Sequence, residues 1–158
     1  MNKNIRFELS FKNITQLENK LNFCKLNNIK NINIPCKWLI KKELFNTTIN
    51  HISKNFQEFN VTYHYSLYHQ YSKNKVKSYQ DFLDFIKNSY TNRNYEILLV
   101  SGSNKKKNFD SIDALDYLKK EKNLKVKIGT AYNPYLKKYY NISSERERFE
   151  RKIPTKLY

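Results

Sequence analysis

Apolar residues along the chain alternate between short runs with strand character and longer stretches with helical spacing. The runs are rich in Ile, Val, Leu and Tyr, and they lie at Ile5–Leu9, Asn31–Pro35, Val61–Tyr65, Tyr95–Val100 and Val126–Ala131. Their starts are 26 to 34 residues apart, which is about the length of one βα unit. Five such units predict an α/β fold in which right-handed crossovers build a parallel sheet.

The stretches between the strands carry apolar residues every three or four positions, as one buried face of a helix does. Three stripes of this kind are formed by Ile14, Leu17, Leu21 and Cys24, by Tyr79, Phe82, Leu83, Ile86 and Tyr90, and by Ile112, Leu115 and Leu118. Ser78, with Asp81 three residues later, matches a capping box and predicts that the second of these helices starts there. The charged segment Ser143–Ile153 predicts a final helix.

Two architectures place five βα units in one parallel sheet. An open, doubly wound sheet of the flavodoxin-like kind needs about five units, whereas a complete (β/α)8 barrel takes about 250 residues. The chain has 158 residues, which indicates a single domain over 1–158, and this length favours the open sheet. Both architectures place ligands at the carboxyl ends of the strands, so the residues that follow each strand are the candidates for function.

The composition is strongly basic, with a formal net charge of +16. Of the 30 basic residues 25 are Lys, and with 22 Asn, two Gly and two Ala they give the profile of an AT-rich coding sequence. Lysines scattered over a surface attract polyanions through the summed field of the protein, without specificity. The charge therefore indicates weak, nonspecific binding of polyanions.

Signals of several protein classes are missing from the sequence. The longest aliphatic run, Ile97–Val100, is far shorter than a signal peptide core or a membrane span, which predicts a soluble, cytoplasmic protein. Cys24 and Cys36 lie in different elements without a second Cys or a His at metal spacing, so neither a zinc site nor a disulfide framework is expected. The phosphate loops GxGxxG and GxxxxGK(S/T) are absent, which disfavours a Rossmann or P-loop nucleotide site.

Polar and aromatic residues gather where the five predicted strands end. The segments are Glu8-Leu9-Ser10, Pro35-Cys36, His64-Tyr65-Ser66, Ser101-Gly102-Ser103 and Ala131-Tyr132-Asn133-Pro134. Each has an ordinary explanation when taken singly, because a strand carboxylate is usually solvated, a single His is usually satisfied by its neighbours, and Ser-Gly-Ser usually makes a turn. What points to function is the set that the five ends form together.

In their order along the chain, these strand ends resemble the methylenetetrahydrofolate reductase family, a flavin-dependent group with a (β/α)8 barrel. Ile5-Arg6-Phe7-Glu8 is similar to the family's first strand, which ends Phe-x-Phe-Glu, and His64-Tyr65-Ser66 resembles its His-Leu-Thr. Leu99-Val100-Ser101-Gly102-Ser103 partly resembles Leu-x-Gly-Asp, and Ala131-Tyr132-Asn133-Pro134 is similar to Ala-Tyr-Pro. The likeness spans nearly the whole chain and ends with Glu145 and Lys152, which match an acidic residue seven positions before a Lys.

The resemblance implies a site for FAD at the strand ends, with a folate and a reduced nicotinamide as substrates. Glu8 would be the proton donor, and the residues that line the flavin would be His64, Ser66, Gly102, Ser103, Ala131 and Tyr132. Arg148 and Lys152 would face the flavin phosphates. Glu145, Arg148 and Lys152 share one helical face, so both cations can reach one polyanionic group, although a solvated face with internal ion pairs explains the same spacing.

The chain departs from the family's pattern at two places. Ser103 replaces the acidic residue after the family's Gly, which removes a negative charge beside the flavin. Lys152 is followed by Ile153-Pro154-Thr155, where the family continues with three more βα units. The resemblance therefore implies a partial TIM-type barrel of about five units with flavin-linked oxidoreduction, and strand Val126–Ala131 is expected to leave an edge that promotes self-association.

Two alternatives from other functional classes stay open. The net charge and the 13 Tyr residues would suit a basic, non-enzymatic module that binds RNA or another polyanion. A chain with an open sheet edge would also suit an inactive scaffold that needs a partner to cover that edge.

Overall fold

The computed structural model describes most of the five predicted βα units. The described residues are 5–35, 42–72, 74–89, 95–101, 109–121, 126–131, 146–147 and 149–151. Tyr90, the last member of the second helical stripe, lies outside these ranges. Within them, no helix combines the length and the apolar character needed to cross a membrane.

Five strands and four helices alternate along the described residues. The strands are β1 Phe7–Glu8, β2 Asn31–Ile34, β3 Asn60–Ser66, β4 Tyr95–Val100 and β5 Lys127–Thr130. The helices are α1 Ile14–Leu26, α2 Lys42–Asn55, α3 Lys75–Ser89 and α4 Ser111–Leu118. The α/β class and all five predicted strands are confirmed, with ends that differ from the predicted ones by no more than two residues. The described positions of the predicted final helix, 146–147 and 149–151, are helical.

Helix α3 begins three residues earlier than its predicted capping box. The Asn74 side chain caps it, because Asn74 Oδ1 accepts hydrogen bonds from the backbone N–H groups of Val76 at 2.8 Å and Lys77 at 3.2 Å. Ser78 lies inside the helix, where its hydroxyl donates to the Asn74 carbonyl at 2.7 Å. The capping box predicted from Ser78 and Asp81 is therefore wrong, and the Asx cap one turn earlier starts the helix instead.

Helix α2 is an element for which the sequence reasoning marked no stripe. Its buried residues Phe45, Ile49 and Ile52 nevertheless follow helical spacing, and Phe56 continues the same line just beyond the helix. The stripe is interrupted by polar residues such as Thr48, which is itself fully buried. An apolar pattern with a buried hydroxyl inside it is harder to recognise than the uninterrupted stripe of α1.

The five strands are all parallel and lie in the order β1-β2-β3-β4-β5. One row of paired residues crosses the sheet through Glu8, Asn33, Thr62, Glu96 and Lys127. Glu8 is the last residue of β1, whereas Glu96 is the second residue of β4. The strands are therefore staggered, and later strands extend further beyond this row.

The four described helices form a single layer on one face of the sheet. Rings of α2 and α3 contact β3 on that face, with Phe45 centred 6.1 Å from Tyr63 and Phe85 centred 4.9 Å from Tyr65. Each helix also contacts the next helix in the chain. The contacts are His51 with Glu18 at 3.1 Å between α2 and α1, Phe45 with Phe85 at 4.8 Å between α2 and α3, and Tyr79 with Tyr117 at 4.5 Å between α3 and α4.

The core lies between this helix layer and the sheet face that it covers. Along each central strand, every second residue enters the core, as the period of a strand requires. The core residues of the sheet are Ile32, Ile34, Val61, Tyr63, Tyr65, Tyr95, Ile97 and Leu99. The remaining residues of the strands belong to the opposite face, and their composition is different.

Candidate functional site

The sheet face opposite the helices is predominantly polar, and we call it the polar face. It consists of Glu8, Asn33, Thr62, His64, Ser66, Glu96, Leu98, Val100, Lys127 and Gly129. The side chains of Asn33, His64, Leu98 and Val100 are half-buried rather than fully solvated. A polar, partly sheltered surface beside the carboxyl ends of parallel strands is the place where α/β proteins usually bind ligands.

Charged groups near the amino ends of the strands satisfy one another on this face. Arg6 Nη2 lies 2.7 Å from Glu96 Oε2, which also accepts a hydrogen bond from Thr62 Oγ1 at 3.2 Å. Arg6 Nη1 donates to the Asn60 carbonyl at 3.4 Å, and Lys127 Nζ lies 3.9 Å from Glu96 Oε1. Glu96 therefore joins groups from β1, β3 and β5.

The contact between Arg6 and Glu96 crosses the polar face. Three strand spacings separate β1 from β4, which amounts to about 14 Å along a flat sheet. Because the two side chains meet at 2.7 Å, they bridge β2 and β3 on this face.

Glu8 and His64, both candidates from the sequence, lie on this face and interact electrostatically. Burial lowers the pKa of His64 below its ordinary value, and the Glu8 carboxylate acts in the opposite direction. The net pKa of His64 is lowered, so the ring is neutral at neutral pH. Glu8 itself is exposed.

Among the described residues, two buried polar atoms on the polar face have no hydrogen-bond partner. They are Asn33 Oδ1 on β2 and His64 Nε2 on β3. Most buried polar groups in folded proteins are hydrogen-bonded, so each exception calls for an explanation. Both atoms are shielded from solvent.

Beyond Glu96 and Lys127, the β4 and β5 part of the polar face carries apolar residues. His64 is paired across the sheet with Leu98, and Leu98 is paired with Gly129. Gly129 is exposed, and a Cβ atom placed there would have only Leu98 Cδ1, at 3.8 Å, as a close neighbour among the described residues. Val100 lies two residues beyond Leu98 on the same side. An apolar patch therefore lies beside His64.

Strand alternation places Ser66 and Ala131 on the polar face, but each takes part in a hydrogen bond that supports the backbone. Ser66 is buried, and its Oγ accepts a hydrogen bond from the His69 N–H at 3.2 Å, which fixes the turn after β3. The Ala131 N–H donates to the Leu99 carbonyl at 3.2 Å and so extends the pairing of β5 with β4. Their predicted contacts with flavin stay predictions.

The other predicted site residues lie outside the described ranges. They are Gly102, Ser103, Tyr132, Arg148 and Lys152. Within the described part of the chain, no three His, Cys, Asp or Glu side chains are placed to hold a metal ion.

The sequence reasoning missed Asn33 and Gly129 because it searched only the residues that follow each strand. A signal for Asn33 was present, since Asn31-Ile32-Asn33-Ile34 alternates polar and apolar residues and so places Asn33 opposite the core. Gly129 is one of two glycines in the chain, and a glycine inside a strand often marks a close approach by a ligand.

No known protein was found to be similar to this chain: no family model matches it, and neither do any curated protein or solved structure. The functional argument therefore rests on the residues and geometry of the polar face.

Proposed function

We propose that this protein is a flavin-linked oxidoreductase similar to methylenetetrahydrofolate reductase, which transfers reducing equivalents from a reduced nicotinamide to a folate. The observation that carries the proposal is the position of Glu8 and His64 together on one face of the sheet. The resemblance identified the two residues separately, at two different strand ends. Their electrostatic interaction is therefore independent support for placing them in one site.

The topology supports a partial barrel of the TIM type over a doubly wound sheet. A flavodoxin-like sheet has the order 2-1-3-4-5 with helices on both faces. The strands here follow the order β1-β2-β3-β4-β5 beneath one helix layer, which is the arrangement of consecutive units in a (β/α)8 barrel. The stagger of β1 and β2 relative to β3 and β4 is also a feature that closing a barrel requires.

The described residues fit a flavin. His64, on the polar face, has an Nε2 atom without a partner among the described residues. Leu98 and Gly129 supply a flat, apolar surface with room above Gly129. A planar heterocycle with polar edges matches this combination of one polar side and one apolar side. FAD, when bound, would supply the hydride-transfer chemistry.

The roles of the chain's own residues follow from their surroundings. His64, which burial keeps neutral, binds and orients the ring through hydrogen bonds rather than through charge. The exposed Glu8 carboxyl lies on the same face, where it would act as the proton donor to a substrate nitrogen. Leu98 and Val100 shield the ring from water on the β4 side.

The first test is flavin binding by the purified protein, followed by two kinetic assays. We expect bound flavin to give visible absorption, and we expect Glu8→Gln to abolish folate-dependent turnover while electron flow from a reduced nicotinamide to an artificial acceptor persists. The control is Glu58→Gln, which removes an exposed carboxylate in the turn between α2 and β3, 2.9 Å from Lys25 Nζ. It should change neither assay.

The alternatives predict different results. A colourless protein that fails to bind added flavin refutes the proposal, and tight RNA binding by the same sample would favour the basic module. Flavin binding without any folate-dependent turnover would refute the folate substrate and leave a flavin-binding protein. If Glu8→Gln lowers both activities equally, Glu8 is not the proton donor for the folate step.

A further inference from the structure

We propose that the protein associates with a second copy of itself through a joint in which strand β5 of one copy pairs, in parallel, with strand β1 of the other. An ion pair between Lys127 and Glu8 sets the register of this joint. The proposal does not depend on a flavin, but the joint would place Lys127 of the second copy beside Glu8, the residue that we propose as the proton donor.

The two outer strands of the sheet are the first argument. Among the described strands, β1 pairs only with β2, and β5 pairs only with β4. An outer strand presents backbone N–H and C=O groups on its open side, and these groups can pair with a strand of another chain. All five strands are parallel, so β1 of a second copy in the same orientation would continue the sheet beyond β5 in the same sense.

Exposed apolar side chains at the β1 edge are the second argument. Phe7 pairs with the core residue Ile32 and so belongs to the face of the sheet that the helices cover, yet it is 43% exposed. Ile5, two residues earlier, is 57% exposed. On β5, the residue of the same face, Ile128, is only half-buried. A joint between the two edges would bury Phe7 and Ile128 against each other, and the burial of apolar surface favours association.

Opposite charges at the two ends of one row of the sheet are the third argument. The row of paired residues that crosses the polar face begins with Glu8 on β1 and ends with Lys127 on β5. Glu8 is exposed, and the Lys127 side chain is 82% exposed, with its Nζ 3.9 Å from Glu96 Oε1. If the row continues into a second copy, Lys127 lies directly opposite Glu8. Neighbouring strands are about 4.8 Å apart, so the two charged groups can meet.

The same residues exclude the other registers of this joint. A shift of one residue would turn Phe7 onto the polar face, because the side chains of a strand alternate. A shift of two residues in one direction places Lys127 opposite Arg6, a second cation, and a shift in the other direction places it opposite the uncharged Ser10. Only the register that pairs Lys127 with Glu8 combines opposite charges with apolar residues on the core face.

Antiparallel pairing of β1 with β1 of the second copy is the competing joint. With Phe7 opposite Phe7, this arrangement would place Glu8 opposite Arg6 of the other copy. Arg6, however, extends across the polar face to Glu96 on β4, 2.7 Å away, which draws its side chain away from the β1 edge. The exposed Lys127 is the better placed partner for Glu8, and its joint uses both edges of the sheet.

Charge reversal tests the joint, with association measured by sedimentation equilibrium at about 0.15 M salt, where the screening length of about 8 Å weakens the repulsion between two basic copies. We expect the wild type to associate, as a closed dimer when both pairs of edges meet and as a longer chain of copies when they do not. Lys127→Glu and Glu8→Lys should each weaken association by about fivefold or more, because each replaces an attractive surface pair by a repulsive one.

Matched controls separate the joint from the effect of net charge. Lys87→Glu, on α3, changes the net charge by the same amount as Lys127→Glu, and Glu58→Lys, between α2 and β3, by the same amount as Glu8→Lys. Neither position lies on β1 or β5. We expect both controls to associate as the wild type does.

Mixing the two reversed variants provides a test that damage to the fold cannot imitate. In an equimolar mixture, the reversed charge at position 127 of one variant meets the reversed charge at position 8 of the other, and the unchanged Lys127 and Glu8 meet at the second joint. We expect the mixture to associate about as strongly as the wild type, and this recovery would support the proposal.

The other outcomes overturn it. They are a wild type that stays monomeric, association that Lys127→Glu leaves unchanged, and a mixture that does not recover. Loss of association in Glu8→Lys but not in Lys127→Glu would identify the joint between two β1 strands instead.

Discussion

Replacing Gly129 by Val tests whether a ligand lies on the β4 and β5 side of the polar face. Gly129 is in the middle of β5 and pairs with Leu98. Among the described residues, a Cβ atom there meets only Leu98 Cδ1 at 3.8 Å, which is an ordinary van der Waals distance. The new side chain would therefore fit the folded protein and would project over the surface that we assign to the ring.

The expected effects on stability and on binding have opposite signs. Glycine within a strand costs about 0.5–1 kcal/mol relative to Ala, and a β-branched residue is favoured there. Gly129→Val should therefore raise Tm by about 1–4 °C. The two methyl groups occupy the space of the ring, so flavin affinity should fall at least about tenfold, or about 1.4 kcal/mol.

The assay is a riboflavin titration by fluorescence quenching together with a thermal melt of the ligand-free protein. Thr130→Val is the matched control, because it places the same side chain at the next residue of β5. Strand alternation puts this residue on the core face of the sheet. We expect it to leave the affinity unchanged. Unaltered flavin binding by Gly129→Val, in a protein that is at least as stable as the wild type, would refute the placement of the ring on this face.

Three further predictions concern pH, salt and association. Burial lowers the pKa of His64 in the folded state, so the unfolded protein binds a proton at His64 more readily than the folded protein does. The contribution of His64 to stability is therefore complete above about pH 6.5 and is lost as the pH falls below that value. Urea titrations at about pH 5 and pH 8 should show that His64→Leu removes this pH dependence. Polyanion binding through scattered Lys should be weak and should fall steeply with salt, and sub-micromolar affinity for one RNA at about 0.2 M salt would contradict that view. The edge of the sheet at β5 should promote self-association, which light scattering would detect; a monodisperse and highly stable monomer would argue against a partial barrel.

Local sequence patterns were sufficient to predict the strands and the class of the fold. Runs such as Tyr95–Val100 match strand propensity and have lengths typical of strands, so their positions depend little on the rest of the chain. The order of the strands could not be predicted from local patterns, because each crossover could place the next strand on either side of the preceding one. Length favoured the doubly wound arrangement, whereas the described strands are sequential and the four helices between them lie on one face of the sheet.

The sequence predicted those site residues whose role follows from residue type, and it missed those whose role follows from their surroundings in the fold. Glu8 and His64 could be chosen from their types and from their places at strand ends. That Glu8 is exposed, that Ser66 is buried in its own turn, and that Asn33 Oδ1 lacks a partner are consequences of packing between strands distant in the sequence. No local pattern records whether a polar atom has found a partner.

The polar face carries groups that stabilise the fold beside polar atoms that have no partner among the described residues. Near the amino ends of the strands, Glu96 is bonded to Arg6 and Thr62, and this network ties together strands that are far apart in the sheet. Asn33 lies in the same row as Thr62, and His64 lies two residues further along β3; both have a buried atom without a partner among the described residues. Pairing these atoms would stabilise the protein, because an unpaired buried polar group destabilises it. If a ligand occupies this face, the network around Glu96 holds in place the strands that carry it.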